Sequence, residues 1–213
     1  MQKLQKQLIQ KLEEKYPEVK CALDYRDARE LSVAVMLSAQ CTDARVNKVT
    51  PKLFEECKSW DDFSSIPIQN LEKLVFSTGF YKNKAKNIQA LGEIIVEKYR
   101  GELPRSMPEL VALPGIGRKT ANVIQQEAFG IVEGLVVDTH CIRNSYRLGF
   151  GKNTKNAEIQ ERNLMKSVPK KYWYYFTHWM ILIGRSECVS RIPKCSQCFL
   201  NDICPKKGVK KSA

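Results

Sequence analysis

The sequence has no long hydrophobic run. Its first twenty residues, MQKLQKQLIQKLEEKYPEVK, contain no uninterrupted apolar segment, so they do not form a secretory signal. No other stretch approaches the roughly 18 apolar residues of a membrane-spanning helix. The chain also lacks internal repeats and low-complexity linkers. We therefore expect a cytoplasmic protein without a membrane partner.

Patterns typical of β-strands are also scarce. Residues 33–35 and 136–137 are the only β-like runs, and both are short and flanked by helical patterns. Elsewhere, apolar residues recur at helical spacing, which predicts an all-α fold. The predicted helices cover residues 3–15, 28–39, 43–56, 82–99, 106–112, 118–129, 139–147, 155–167 and 170–184, and Asn70 is expected to cap a further short helix that ends at Phe76.

Positive charge outweighs negative charge. The 213 residues include 35 lysines and arginines against 23 aspartates and glutamates, a net charge of +12. This length suffices for one large domain or two small ones with a sizeable core. The excess favours a polyanionic partner, most often nucleic acid, although lysine-rich solvated faces would give the same composition.

Residues 113–121, LPGIGRKTA, combine two closely spaced glycines with a predicted helix start. The glycines permit a tight turn, and N–H groups at the turn and at the next helix would bind a phosphate without reading sequence. The flanking helices and the adjacent basic pair favour a DNA-binding hairpin over a plain helix–helix corner. We therefore expect DNA contacts from Leu113, Gly115, Gly117 and Arg118.

Lys119 follows this turn and is a candidate nucleophile. It lies two residues before Ala121, about 200° around the helix axis, so it should point away from the core. A lysine attacks only when neutral, and the first turn of a helix disfavours its charged form. Attack on a sugar C1′ would give a Schiff base and then allow β-elimination of the 3′ phosphate. The alternative is an ordinary solvated lysine.

Asp138, in the segment VDTHCIRN, has two compatible readings. An aspartate before a helical stretch is a typical N-cap. A carboxylate beside a sugar would also stabilise an oxocarbenium-like centre as the glycosidic bond breaks. Since an ionised carboxylate would raise the pKa of a nearby lysine, we assign Asp138 to the glycosidic-bond step and to proton transfer.

The sequence contains eight cysteines without an export signal, which argues against a disulfide framework. Four of them form the pattern C-x6-C-x2-C-x5-C within 17 residues, close enough to surround one metal centre. The spacing alone leaves a [4Fe–4S] cluster and a four-cysteine zinc site equally open. The four residues are Cys188, Cys195, Cys198 and Cys204. The basic tail after Cys204 is expected to be disordered at its end.

From its N-terminal helix to Cys204, the sequence resembles the helix–hairpin–helix DNA glycosylases of the endonuclease III type. The resemblance rests on LPGIGRKTANVI, on an aspartate 19 residues after its lysine, on LSAQCTD at 37–43 and on GFYKNKAKNI at 79–88. It implies two all-α domains with DNA in the cleft between them. These are a six-helix domain over 23–134 that contains the helix–hairpin–helix, and a second domain of 1–22 plus 135–213 that carries the iron–sulfur cluster loop.

The resemblance also implies roles for individual residues. Lys119 matches the Schiff-base lysine of the family and Asp138 matches its catalytic aspartate. Gln40 matches the residue that fills the vacated base stack, and Phe80 the wedge beside the orphan base, where leucine is common. The cysteine spacing matches the family's [4Fe–4S] motif. Further expected DNA contacts are His140 near the pocket, and Arg191 and Lys194 between the first two cysteine ligands.

The predicted function is that of a monomeric, nucleoid-associated enzyme of base excision repair. It would bind double-stranded DNA that contains damaged bases or abasic sites, remove oxidised or ring-damaged pyrimidines, and cleave the strand 3′ to the abasic site. The lysine at 119 separates the chain from relatives that carry serine or tyrosine there. Two alternatives are a glycosylase for uracil or thymine opposite guanine, and a non-catalytic iron–sulfur module that binds DNA.

Overall fold

Helices are the only regular secondary structure in residues 2–213, the part of the chain that the computed structural model describes. The all-α prediction is therefore confirmed. No helix in this range is long and apolar enough to cross a membrane. The α-helices are α1 Lys3–Lys15, α2 Ala28–Leu37, α3 Asp43–Glu56, α4 Trp60–Ser65, α5 Ile68–Val75, α6 Tyr81–Tyr99, α7 Met107–Val111, α8 Arg118–Phe129, α9 Thr139–Arg147, α10 Ala157–Ser167 and α11 Trp173–Arg185. Short 3₁₀ helices cover Phe76–Thr78, Lys170–Tyr172 and Cys195–Gln197.

Helix α4 is absent from the sequence prediction. It has only six residues, too few to give a helical period. Ser59 and Asp62 form a reciprocal capping box at its start, and the side chains of Trp60 and Phe63 are buried. Gly92 of α6 lets it pack closely, because a Cβ there would lie 2.9 Å from the Ser64 nitrogen. Tertiary packing therefore stabilises a helix that the local sequence pattern does not predict.

The predicted start of α5 is wrong. The helix begins at Ile68, and Pro67 takes the N-cap position instead of Asn70. The carbonyl oxygen of Pro67 accepts the N–H groups of Asn70 and Leu71, at 2.8 and 3.2 Å. Asn70 therefore lies inside the first turn. A proline before a helix supplies an extended residue and a carbonyl acceptor without itself requiring a donor partner.

The chain divides into two compact units, each with its own hydrophobic core. The first, here called the central unit, is Cys21–Ile131. Within it, α6 packs against α4 and α5, and α2 packs against α8. The second, the terminal unit, joins residues 2–20 to Val132–Ala213, and α9 packs against α11 inside it.

Candidate active site and metal centre

In the central unit, α7 and α8 are joined by a tight turn. Leu113 and Ile116 are buried in the core, and the Ile116 N–H donates to the Leu113 oxygen at 3.2 Å. Gly115 and Gly117 are exposed on the outer side. The Leu113 side chain is buried, its N–H donates to the Leu110 oxygen and its carbonyl accepts the Ile116 N–H. Both backbone groups of this predicted DNA contact therefore already have partners within the turn.

Glycine is suited to the two positions in the turn for different structural reasons. Gly115 has φ +71, and a Cβ built on it would lie 2.6 Å from the Met36 Cε and 3.1 Å from the Asn87 Cβ. It therefore allows the turn to pack closely against α2 and α6. Gly117 has φ −86 and open space around its Cα, and as the N-cap of α8 it offers no capping side chain. A helix that starts this way presents its first backbone N–H groups to an external anion.

Lys119 is the second residue of α8 and is exposed, as is Arg118 beside it. On the opposite side of the helix, Ala121 and Ile124 are completely buried. The helical phase predicted from the sequence is thus the observed one. Lys119 lies next to the turn in the first turn of α8, where its amine is accessible.

Gln40 and Phe80 share an unusual backbone conformation. Their φ angles are +53 and +48, in the left-handed region that residues with a Cβ rarely adopt. Both side chains are exposed, and Phe80 retains 66% of its accessible surface. Such strain costs on the order of 1–2 kcal/mol per residue and is concentrated at functional positions. The conformation directs two residues of the central unit outwards.

Phe76 is an exposed aromatic residue that the sequence reasoning missed. It keeps 62% of its accessible surface, and its ring centroid lies 4.8 Å from that of Tyr81. With Phe80 it forms an exposed aromatic edge at the start of α6. The signal in the sequence was its place in FSTGFY, a polar and glycine-containing segment where a core phenylalanine is not expected.

In the terminal unit, Asp138 is the N-cap of α9. Its Oδ1 accepts the backbone N–H of Cys141 at 2.7 Å, and the side chain is half-buried. The N-cap role predicted from the sequence is therefore the one observed.

His140 is the second residue of α9, and its side chain is half-buried. Burial lowers the pKa of its imidazole, and the positive charges of Arg143 and Arg185 act in the same direction against the opposing effect of Asp138. Its Nδ1 lies 3.2 Å from the Arg143 Nη2, which can only donate. The imidazole also makes a hydrogen bond with the backbone of Gly184, which raises its pKa against the effect of burial.

Gly184 of α11 makes room for this arrangement and was not singled out from the sequence. A Cβ on Gly184 would lie 2.4 Å from the His140 Nδ1 and 2.5 Å from the Asn144 Nδ2. Asn144 uses that same amide to donate to the Met180 oxygen at 2.7 Å. The close approach of α9 and α11 therefore requires a glycine. In the sequence, Gly184 is visible only as a single glycine at the end of an aromatic helix, which does not by itself indicate a close helix contact.

The four clustered cysteines line one cavity. Within residues 2–213, no three His, Cys, Asp or Glu side chains converge on a point where a single metal ion could bind. A four-cysteine zinc site places its sulfurs about 2.3 Å from one point, whereas a cubane cluster takes one thiolate at each of four separate iron atoms. The cavity brings together the four thiols that either kind of centre requires.

Burial raises the pKa of Cys198 to about 11 and also raises that of Cys204. A metal centre therefore has to displace protons from these thiols when it binds. Two hydrogen bonds reach the sulfurs, from Arg147 Nη1 to Cys188 Sγ and from the Lys206 N–H to Cys204 Sγ, both at 3.4 Å. Donors of this kind tune the properties of a thiolate-bound metal centre.

Arg191 and Lys194 are exposed on the loop between the first two cysteines. The chain's last residue returns to this loop, since the Ala213 N–H donates to the Pro193 oxygen at 2.9 Å and the Ala213 oxygen accepts from Ser196 at 3.1 Å. The expected disorder at the end of the tail is therefore not observed. The backbone hydrogen bonds to the cysteine loop hold it in place.

Comparison with known proteins places this geometry in a family. Residues 33–170 match the model of the HhH-GPD superfamily of base excision DNA repair proteins. Endonuclease III from Synechocystis sp. is 48% identical over 194 residues, covering 91% of this chain and 88% of that protein. Two solved structures of endonuclease III, a non-covalent DNA complex and a trapped covalent DNA intermediate, have TM-scores of 0.89 and 0.88. Each is 43% identical and covers 97% of both chains.

The chain therefore belongs to the endonuclease III family of the HhH-GPD superfamily. It is a bifunctional DNA glycosylase and AP lyase of base excision repair, and it binds DNA. The family and the activity predicted from the sequence are both confirmed.

Proposed function

We propose that this enzyme removes oxidised or ring-damaged pyrimidines from duplex DNA, with Lys119 as the nucleophile and Asp138 as the catalytic carboxylate. The observation that carries this proposal is the position of Lys119. It is exposed, lies in the first turn of α8 and directly follows a turn suited to hold a phosphate. One segment thus supplies both the DNA anchor and the amine.

Asp138 acts first, while the glycosidic bond breaks. Its carboxylate stabilises the positive charge that develops on the sugar as the base leaves with the bonding electrons. The Nζ of Lys119, as the free amine, then bonds to C1′ and gives up one proton. The C1′–O4′ bond opens as O4′ takes up a proton, which leaves a protonated Schiff base between Nζ and C1′. Loss of a proton from C2′ drives cleavage of the C3′–O bond, and the 3′ phosphate leaves. The strand is cut 3′ to the abasic site without water attacking a phosphate.

The remaining residues hold and open the DNA. The backbone groups of Gly115 and Gly117 in the turn bind the phosphates. The side chains that also contact DNA are those of Arg118, His140, Arg191 and Lys194. Gln40 enters the space that the extruded base leaves, and Phe80 lies against the orphan base. Their exposure and strained backbone support these roles.

Cys188, Cys195, Cys198 and Cys204 hold a [4Fe–4S] cluster in this proposal. The cavity that all four cysteines line supports it, together with the cysteine spacing in the sequence. When bound, the cluster cross-links the C-terminal loop and supplies a redox-active centre. The loop then presents Arg191 and Lys194. We further propose that the enzyme acts as a monomer on the chromosomal DNA of the nucleoid.

Borohydride trapping tests the assignment of Lys119. Wild type, Lys119→Gln and Asp138→Asn are incubated with borohydride and duplexes that contain thymine glycol, uracil opposite guanine, thymine opposite guanine, or a preformed abasic site. We expect a covalent adduct with thymine glycol and with the abasic site in the wild type. Lys119→Gln should form neither adduct, and Asp138→Asn should lose mainly the first.

Two results would contradict the proposal in different ways. An adduct in Lys119→Gln would assign the Schiff base to another amine. A preference for uracil or thymine opposite guanine over thymine glycol would instead indicate a mismatch glycosylase.

A further inference from the structure

Lys84 is a buried lysine of the central unit that the reaction scheme does not use. It lies in α6, one turn after Phe80, and keeps only 7% of its accessible surface. Burying an ammonium group is costly unless its donors are all satisfied, so the position demands a structural reason. The segment GFYKNKAKNI contains Lys82, Lys84 and Lys86, and the burial singles out the middle one.

The Lys84 ammonium joins two chain segments. Its Nζ donates to the carbonyl oxygens of Leu37 and Thr78, both at 2.8 Å. Leu37 is the last residue of α2, and Thr78 is the last residue of the 3₁₀ helix Phe76–Thr78. Carbonyls at helix ends lack intrahelical partners and lie at the negative end of the helix dipole, so a cation stabilises both.

These two segments carry the residues proposed to enter the DNA. Leu37 lies three residues before Gln40, and Thr78 lies two residues before Phe80. The backbone N–H of Lys84 also donates to the Phe80 oxygen at 3.1 Å. One residue therefore contacts the turn before Gln40 with its side chain and the turn at Phe80 with both its side chain and its backbone.

The charge of Lys84 is balanced by carbonyl dipoles. Lys84 takes no part in the ion pairs that Arg26 and Arg29 make with nearby carboxylates. Hydrogen bonds to carbonyls are directional, so they restrict where the two turns lie more narrowly than a charge pair would. Burial lowers the pKa of Lys84, which agrees with this enclosed position.

We propose that Lys84 is a positioning residue that fixes Gln40 and Phe80 relative to each other, so that both enter the DNA together when the base is extruded. This inference rests on the roles proposed above for Gln40 and Phe80. Without the ammonium, two strained turns lose their shared anchor, and each relaxes towards ordinary backbone conformations. Base extrusion then weakens although the catalytic groups are intact.

The test compares Lys84→Met with the wild type on two substrates. Excision of thymine glycol needs base extrusion, whereas cleavage at a preformed abasic site has no base to remove. We expect kcat/KM for excision to fall by about 10- to 100-fold, the usual effect of misplacing a positioning group, with cleavage at the abasic site within about 2-fold. Fluorescence of a 2-aminopurine placed next to the lesion should rise less on binding, which reports reduced extrusion directly.

A mutant cycle shows whether Lys84 acts through the two turns. Lys84→Met is combined with Gln40→Ala and Phe80→Ala. If Lys84 works by positioning those side chains, it adds little further loss once they are gone. A full additional loss in that background would overturn the proposal. Wild-type excision by Gln40→Ala/Phe80→Ala alone would instead overturn the role proposed for those two residues.

Two controls separate positioning from general loss of stability. Ile95→Val removes a buried methylene from the same helix, about 16 Å along its axis from Lys84, and should leave the 2-aminopurine signal unchanged. Lys84→Gln keeps one donor group, and we expect intermediate excision and extrusion. If Lys84→Met does not fold, Lys84→Gln decides the question, because wild-type extrusion by it would refute the inference.

Discussion

Arg147 Nη1 lies 3.4 Å from the Sγ of Cys188, and the same guanidinium donates to the carbonyl oxygens of Cys188, Val189 and Ser190. Arg147 is the last residue of α9, whose N-cap is Asp138. The guanidinium is buried, so its planar fork holds the chain around the first cysteine in one conformation. Helix α9 therefore connects Asp138, the proposed catalytic aspartate, to the cysteine loop.

Replacing Arg147 should impair the proposed metal centre. Arg147→Met removes the donors to the Val189 and Ser190 carbonyls and to the Cys188 sulfur, while Arg143 still donates to the Cys188 carbonyl, so the loop of Cys188 is held less firmly. We expect purified Arg147→Met to contain less iron and sulfide per chain and to show weaker visible absorption than the wild type. Arg162→Met, an exposed arginine of α10, is the control. Full iron content in Arg147→Met would show that the loop keeps its conformation without the hydrogen bonds of Arg147.

Gly117→Ala should weaken DNA binding without harming the fold. The residue has φ −86 and nothing within 4 Å of an added Cβ, so the free energy of unfolding should change by less than about 1 kcal/mol. The new methyl group would stand where a phosphate approaches the start of α8. We expect a weaker Kd for duplex DNA and a shallower salt dependence, by about 0.9 in the log–log slope for one lost phosphate contact.

Gly101→Ala and Gly115→Ala complete this comparison. Both glycines have positive φ, so alanine costs about 1–2 kcal/mol of backbone strain at either. Only Gly115→Ala adds a close contact, with Met36 and Asn87, and should also distort the turn. DNA affinity should therefore fall in Gly115→Ala and stay at the wild-type value in Gly101→Ala. If all three variants bound DNA with the wild-type affinity, the turn would not be part of the DNA interface.

Asp138→Asn and Asp138→Ala should separate capping from catalysis. Asparagine is as good an N-cap as aspartate, whereas alanine loses the bond to the Cys141 N–H at a cost of about 1 kcal/mol. Both changes remove the carboxylate charge. We expect excision to fall by about 100-fold or more in both variants, with a lower melting temperature only in Asp138→Ala. Undiminished excision by Asp138→Asn would exclude the carboxylate from the reaction.

His140 should make stability depend on pH in a defined direction. Because burial lowers its pKa below the usual 6.5, the unfolded chain binds a proton more readily than the folded one. This destabilises the protein as the pH falls through 6.5 towards the folded-state pKa, and the effect is absent above 6.5. Urea unfolding between about pH 8 and pH 5 should show a flatter dependence in His140→Asn than in the wild type. Identical pH dependences would contradict the assignment.

Sequence patterns predicted best those elements whose ends are marked by local chemistry. Helix α8 begins after Gly117 and ends at Gly130, and α9 begins after Asp138, as their glycines and capping aspartate indicate. The six-residue α4 and the start of α5 were not predicted, since packing on Gly92 and a proline carbonyl determine them.

Side-chain roles that arise from packing were also hidden. Lys84 is one of three lysines at alternate positions in one segment, and helical spacing places it on the apolar face with Ile88 and Leu91. The sequence does not show the carbonyls of Leu37 and Thr78 that accept from its ammonium. Gly184 follows a run of apolar residues, and only the approach of α9 shows what its missing Cβ makes possible. Such residues are recognised once two elements that are distant in sequence come together.

The left-handed backbone at Gln40 and Phe80 has an evolutionary consequence. Glycine adopts this conformation without backbone strain. The strain energy that a glycine would remove is about as large as the extra conformational entropy that glycine loses on folding. Folding therefore does not select against glycine at either position, and the roles in DNA proposed above are what would preserve the two side chains. In a lineage where repair is no longer under selection, these two residues should drift early, leaving a stable protein that binds DNA but has lost the means to open it.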